Sequence, residues 1–210
     1  RYDDAIDDLQ QLIEAEPENA QAWIEMANIY RVQGRLERAR QACDELARFA
    51  GRETIQICEI PLLASTGKAE EAYQQLGELL PKVRRQWPDA LPWVVATQAE
   101  IARALGLDRK AERHYLAGLD RDADDYYLLR GYADLLLDDN RPGEALALLR
   151  DHTADTGVLL RAAIAARRSG DERLAESLKQ QLHRRFVETR LRDGQPHGRY
   201  EARFFLELKD

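Results

Sequence analysis

An alanine that returns about every 34 residues is the feature of this sequence that most restricts its fold. The gaps between successive positions are 34, 33, 39, 34 and 30 residues. The alanine stands in the same helical pattern each time, at Ala5, Ala39, Ala72, Ala111, Ala145 and Ala175. A period of this length is typical of chains in which one supersecondary unit repeats. We therefore expect a row of similar units stacked on one another.

A turn residue stands five positions before each of these alanines except the first. It is glycine or asparagine, at Gly34, Gly67, Gly106, Asn140 and Gly170. These two residue types close helices in the left-handed conformation. A further alanine lies seven positions before four of the turns, at Ala27, Ala99, Ala133 and Ala163. Each unit is thus predicted to be a helix, a tight turn and a second helix, with small residues where the helices approach closely.

Composition favours an all-α fold with a substantial core. Helix-favouring residue types dominate, glycine and proline number only 12 and 7, and 44% of the residues are hydrophobic, which is enough to bury a continuous core. The formal net charge is −7, with basic residues interspersed among acidic ones. Binding to nucleic acid is not expected, because phosphates need a basic face. No stretch approaches the roughly 18–20 apolar residues of a membrane span, so no membrane insertion of this segment is expected either.

Residues that could carry catalysis or bind a metal are scattered along the chain. Four histidines lie far apart, at His114, His152, His183 and His197. None has a partner at the spacing of a metal-ligand motif, and no glycine-rich phosphate loop occurs. Adjacent acidic pairs such as Asp138 and Asp139 point apart on a helix. The sequence therefore predicts no catalytic residues, no metal site and no cofactor.

Two cysteines, Cys43 and Cys58, leave two interpretations open. Buried free cysteines are common as small apolar core residues. A disulfide between the two would instead indicate an oxidising compartment. No cluster of further cysteines or histidines accompanies them, so a structural zinc site is not expected.

The repeat is most complete in residues 20–51, where its marker residues follow one another as Trp23, Ala27, Tyr30, Gly34 and Ala39. This pattern resembles the tetratricopeptide repeat. The resemblance implies a right-handed α-solenoid of helix-turn-helix repeats. It further implies a single superhelix over residues 1–210, with about five to six repeats of which the first and last are incomplete.

Some segments depart from the repeat. Pro61 lies inside a first helix, and an insertion near residues 88–92 lengthens one unit, so both are expected to disturb local helix geometry. Residues 192–197 are predicted to form a loop. Because the sequence begins without Met at Arg1 and ends in what reads as an unfinished helix, we expect a fragment of a longer protein.

Most of the chain also resembles a group of exported bacterial tetratricopeptide proteins of unassigned function. The resemblance rests on residues 124–137 and 200–208. It implies export, to the bacterial periplasm, with a cytoplasmic location as the alternative.

A solenoid curves, and the first helix of every unit lines its concave surface. The resemblance implies that recurring positions of these helices bind the partner. In this sequence those positions are Asn28, Arg31, Trp93, Glu100, Arg103, Tyr127, Arg130, Asp134, Arg167 and Arg168. The arginines suit the carboxylates of an acidic peptide or a chain terminus, and the two acidic residues make the groove mixed in charge. Each side chain is also compatible with ordinary solvation or packing.

Some relatives hold a C-terminal carboxylate with a set of Lys, Asn and Arg in this groove. Asn28 matches that set. However, Ile24 stands where its Lys would be, and Pro61 stands where a further Asn would be expected. A carboxylate clamp of that type is therefore not expected.

The pattern favours a non-enzymatic protein-interaction scaffold that binds a protein or peptide in the concave groove. The alternative is a structural or assembly part of a bacterial envelope or polysaccharide-export system. A third hypothesis is self-association through the exposed ends of the solenoid, where apolar residues occur at Tyr2, Ile6, Leu9, Phe204 and Phe205.

Overall fold

A computed structural model describes residues 2–193 and 198–208. Every regular element within these residues is helical, which confirms the all-α fold class. The chain divides into two compact units, Arg1–Leu107 and Asp108–Asp210, here called unit 1 and unit 2. The expectation of one superhelix over residues 1–210 stays a prediction.

Unit 1 contains six α-helices, each packed against the next in sequence. They are α1 (Tyr2–Ala15), α2 (Ala20–Val32), α3 (Leu36–Leu46), α4 (Arg52–Ser65), α5 (Ala69–Gln86) and α6 (Leu91–Ala104). Helices α2 and α3 form one helical hairpin, and α4 and α5 form the next. The first helices also pack side by side, α2 on α4 and α4 on α6.

Unit 2 repeats this arrangement within its described residues. Its helices are α7 (Asp108–Leu119), α8 (Tyr126–Asp138), α9 (Pro142–Leu149), α10 (Thr156–Arg168), α11 (Glu172–Asp193) and α12 (Gly198–Leu208). Helices α8 and α9 form one hairpin and α10 and α11 the next, while the first helices α8, α10 and α12 pack side by side in that order.

The turns inside the repeats have the predicted left-handed conformation. The backbone φ is +74° at Gly34, and positive φ recurs at the other four turn residues, including +58° at Asn140. After Gly34, the Arg35 N–H donates to the Tyr30 carbonyl at 2.8 Å, and the Gly34 N–H donates to the Arg31 carbonyl at 3.0 Å. These bonds satisfy the last carbonyl groups of α2 in a Schellman motif. A glycine, or Asn140 in its place, thus sets each turn through its left-handed backbone conformation.

The repeated alanines fill the places where helices approach most closely. All five of the second-helix alanines from Ala39 onward are buried, and so are the four first-helix alanines. Ala5, in α1, is only partly buried. The larger side chains beside them, such as Leu46 and Tyr30, complete the core of unit 1.

The two departures from the repeat have small local consequences. Helix α4 runs without a break through Pro61, because the buried side chains around it, including Ile57 and Leu62, hold the helix in place despite the lost hydrogen bond. The insertion is accommodated by the long helix α5 and by a short 3-10 turn at Pro88–Ala90. Trp87 directly follows α5, and its side chain packs against the core of unit 1.

The loop predicted at residues 192–197 begins later than expected, since α11 extends to Asp193. Residues 194–197 lie outside the described part of the chain.

Candidate protein-interaction site

The first helices of unit 1 enclose a depression. It is shallow and open to solvent, and only about 10 Å³ of it can hold the centre of a water-sized sphere, which is room for about one water molecule. We call it the Arg31 depression, and it is lined by Ile24, Ala27, Asn28, Arg31, Cys58, Pro61, Leu62 and Trp93. These residues come from α2, α4 and α6. It therefore forms on the helices that the repeat pattern assigns to partner binding.

Arg31 is fixed by a neighbour one helical turn away. Its Nε and Nη2 atoms donate to the Oδ1 atom of Asn28, at 3.2 and 2.7 Å. The spacing of three residues on α2 brings the two side chains onto one face. Within residues 2–193 and 198–208, no carboxylate lies within ion-pair distance of Arg31. Asn28 thus orients the guanidinium group without neutralising its charge.

The rest of the lining is mainly apolar. Trp93 is the residue of α6 that lines the depression, and its side chain is partly buried. Helix α4 contributes Pro61 and Leu62 to the lining. The small side chain of Ala27 leaves the space open. Pro61, expected to disturb its helix, instead contributes an apolar surface.

One residue that lines the depression, Cys58, is part of a disulfide bond. Cys43 of α3 is bonded to Cys58 of α4, with an S–S distance of 2.01 Å and a Cα–Cα distance of 5.6 Å. The structure therefore contains the disulfide rather than two free core thiols. Because Cys58 also lines the depression, the bond ties one of its walls to the second helix of the preceding hairpin.

Two further predicted groove residues of unit 1, Glu100 and Arg103, lie on α6. Both are partly buried. Each also interacts with other groups of the protein. They do not line the Arg31 depression.

The predicted groove residues of unit 2 are mostly bound to α12. Arg130 of α8 donates to the Tyr200 hydroxyl group at 2.7 Å. Arg168 of α10 pairs with Glu207 at 2.8 Å, and Arg167 donates to the Glu207 carbonyl at 3.3 Å. Tyr127 and Arg168 are the exposed members of this set, whereas Arg130, Asp134 and Arg167 are partly buried. These arginines are therefore satisfied inside unit 2.

Asp134 is the centre of this network. Its carboxylate accepts from Arg161 Nη2 at 2.5 Å and from Arg203 Nη1 at 2.7 Å. Burial opposes ionisation of the carboxyl group, but the guanidinium groups of Arg161 and Arg203 outweigh this and hold the pKa of Asp134 below its usual range. Asp134 thus joins α8, α10 and α12.

Sequence reasoning missed the partners in this network. Arg161 and Arg203 were not among the predicted site residues, although both carry charges on first helices. Their pairing with Asp134 spans 27 and 69 residues, and no local pattern in the sequence marks it. Leu62 and Cys58 were likewise not predicted to line a site.

Metal clusters and membrane spans are absent from the described residues. Within them, no group of three or more histidine, cysteine, aspartate or glutamate side chains is placed to hold a metal ion. A search of the same residues finds no helix with the length and apolar character of a membrane span.

Comparison with known proteins identifies the repeat. The family model of the tetratricopeptide repeat matches residues 1–53, which contain α1, α2 and α3. No curated protein matches the chain by sequence.

Solved structures resemble the chain over most of its length. PilW, described as a widely conserved type IV pilus biogenesis factor, has a TM-score of 0.63 and 15% identity, over 89% of this chain and 86% of that one. PilF of Pseudomonas aeruginosa has a TM-score of 0.56 and 18% identity, over 89% and 94% of the two chains. YrrB, described as a TPR protein with an unusual peptide-binding site, has a TM-score of 0.50 and 15% identity, over 83% and 90%.

At these levels of identity the similarity establishes the fold. The resemblance predicted from the alanine and glycine spacing is confirmed by the family match and by these structures. The chain thus carries a tetratricopeptide repeat in residues 1–53 and has the fold of the tetratricopeptide repeat proteins.

Proposed function

We propose that this chain is a non-enzymatic protein-interaction scaffold, and that α2, α4 and α6 of unit 1 bind an extended segment of a partner protein. The Arg31 depression is the observation that carries the proposal. It combines an oriented cation with a tryptophan and several apolar side chains on one concave site. Tryptophan and arginine are the residue types that most often dominate the binding energy of protein interfaces.

The fold supports the same general role. Tetratricopeptide repeats present rows of first helices to a partner, and YrrB is described as having a peptide-binding site. The net charge of −7 favours a protein or peptide over a nucleic acid as the partner.

Unit 1 is a better binding site than unit 2. In unit 2, Arg130, Asp134 and Arg168 already bind residues of α12. A partner would have to break these hydrogen bonds and ion pairs before it could use the same groups. We therefore place the docking surface on unit 1, with Asn28, Arg31 and Trp93 in contact with the partner.

Selection of peptides from a random displayed library tests this proposal. We expect the purified chain to select peptides whose binding is lost in Trp93→Ala. Leu116→Ala is the matched control, because Leu116 is an exposed apolar residue of unit 2 and should leave binding unchanged. Peptides that bind equally well to wild type and to Trp93→Ala would contradict the proposed site.

A second candidate function is an assembly role in the bacterial envelope. The disulfide between Cys43 and Cys58 supports export, because such bonds persist in oxidising compartments and are rare in the cytosol. PilW, described as a pilus biogenesis factor, is an example of the same fold in assembly. We propose a periplasmic location on this basis.

Thiol titration of the chain isolated from its native host tests the location. We expect no reactive thiol in the denatured chain until a reductant is added. Two thiols that react without reductant would favour a cytoplasmic scaffold instead.

A further inference from the structure

Charge is distributed unevenly in the Arg31 depression. Of the eight residues that line it, only Arg31 is charged. Asn28 accepts two of its hydrogen bonds, and an amide oxygen carries no compensating charge. The first-helix arginines of unit 2 differ, since Arg161 and Arg168 each have a carboxylate partner at 2.5 and 2.8 Å.

The hydrogen bonds to Asn28 leave part of the guanidinium group available. Arginine has five N–H donors, and Asn28 takes one from Nε and one from Nη2. Both donors of Nη1 and the second donor of Nη2 remain. Two parallel donors on adjacent nitrogens are the arrangement that binds a carboxylate in a bidentate manner.

From this arrangement we infer that the Arg31 depression recognises an acidic side chain flanked by a large apolar side chain, within an internal stretch of the partner. This inference rests on the proposed function and names the class of segment that unit 1 binds. The carboxylate pairs with Arg31. The neighbouring apolar side chain lies across the mouth of the depression, against the exposed part of Trp93 on α6.

We assign an internal segment because the depression is open to solvent and offers a single cation. A chain terminus that ends in an acidic residue would bring two carboxylates to one guanidinium group, and the second would be left without a partner. An internal acidic residue brings one, as does a terminus whose last side chain is neutral, and the free-acid peptide described below separates these two cases.

Two blocked peptides provide the probe. Both are N-acetylated and C-amidated with Gly-Ser spacers, and their centres read Leu-Glu-Leu in one and Leu-Gln-Leu in the other. Titration followed by the indole N–H resonance of Trp93 in two-dimensional NMR gives both dissociation constants. We expect the Glu peptide to bind about tenfold more tightly, as a charge-assisted bidentate pair allows.

Two variants test whether Arg31 causes the difference in affinity between the two peptides, and a third assigns the NMR signal. Arg31→Gln should make the two peptides bind equally. Arg40→Gln should preserve the tenfold difference, because Arg40 is an exposed arginine of α3 outside the depression that pairs with Glu37. Trp93→Phe locates the Trp93 resonance, and far-UV circular dichroism shows that each variant is folded.

Several results would overturn the inference. They are equal binding of the two peptides to wild type, a tenfold difference that persists in Arg31→Gln, and failure of the Glu peptide to bind. Tighter binding of a Leu-Gln-Leu peptide that ends in a free carboxylate would identify a chain terminus as the true ligand. If displayed peptides without acidic residues still depend on Trp93, the inference fails while the proposed function stands.

Discussion

The disulfide between Cys43 and Cys58 is expected to account for a measurable part of the stability of unit 1. Its sequence separation is 15 residues, and closing a loop of this length in the unfolded chain corresponds to about 3 kcal/mol. Both side chains are buried, so alanine at both positions avoids burying a hydroxyl group. We expect the double variant Cys43→Ala/Cys58→Ala to lose about 3 kcal/mol of unfolding free energy.

Tryptophan fluorescence reports on unit 1 alone. The chain has three tryptophans, Trp23, Trp87 and Trp93, and all three lie in Arg1–Leu107. If unfolding free energy falls by about 2 kcal/mol per M urea, the midpoint of the fluorescence transition should decrease by about 1.5 M.

Reduction provides an independent control. A reductant should lower the midpoint of the wild-type protein by a similar amount and leave the double variant unchanged. A wild-type midpoint that does not move on reduction would refute the reasoning, because the cross-link would then contribute nothing to stability.

Three substitutions test other parts of the structure. Asp134→Asn should destabilise unit 2 by about 3 kcal/mol at neutral pH, because two guanidinium groups lose their carboxylate. The pKa of Asp134 is lowered in the folded chain, so this stabilisation is present above the ordinary aspartate pKa of about 3.9 and is lost as the pH falls through the folded-state pKa. Urea unfolding followed by circular dichroism should therefore show a smaller difference in unfolding free energy between wild type and Asp134→Asn at pH 2 than at pH 7. Gly157→Ala would place its Cβ atom 2.7 Å from both a carbon of Arg130 and the hydroxyl group of Tyr200, so we expect the unfolding free energy to fall by about 1–3 kcal/mol and proteolysis within α12 to be faster. Gly143→Ala, whose Cβ atom would meet no atom within 4 Å, should leave the unfolding free energy and the proteolysis rate unchanged. Gly34→Ala should cost about 1–2 kcal/mol in thermal unfolding, because its φ of +74° is unfavourable for a residue with a Cβ atom; an unchanged melting temperature would contradict this.

The helical hairpins could be predicted from the sequence because their determinants are local. A glycine such as Gly106, or Asn140 in its place, closes a helix through its own backbone conformation. The buried alanines are likewise specified by one position in each repeat. Such signals need only a few neighbouring residues, and they recur often enough to be recognised.

The pairing of charged groups could not be predicted in the same way. The sequence identified Asp134 and Arg130 as groove residues, but their partners Arg203 and Tyr200 are about 70 residues away along the chain. Some arginines pair with a carboxylate, whereas Arg31 donates only to an amide. This difference depends on how the first helices pack within a unit. Local sequence contains no record of that packing.

The disulfide was an open question for a related reason. Two cysteines 15 residues apart fit either free thiols or a bond. The choice depends on whether two neighbouring hairpins bring their Cα atoms within bonding range. In this structure α3 and α4 do so, at 5.6 Å.

The ion pair between Arg203 and Asp134 links α12 directly to α8, although α10 lies between them in the order of packing. Repeat arrays are usually described by the stability of each repeat and its coupling to the next one. A bond that skips one helix adds coupling between second neighbours. Fraying of α12 would then weaken α8 as well as α10, so the last repeats of unit 2 should unfold together in a sharper transition than a chain of independent neighbours would show.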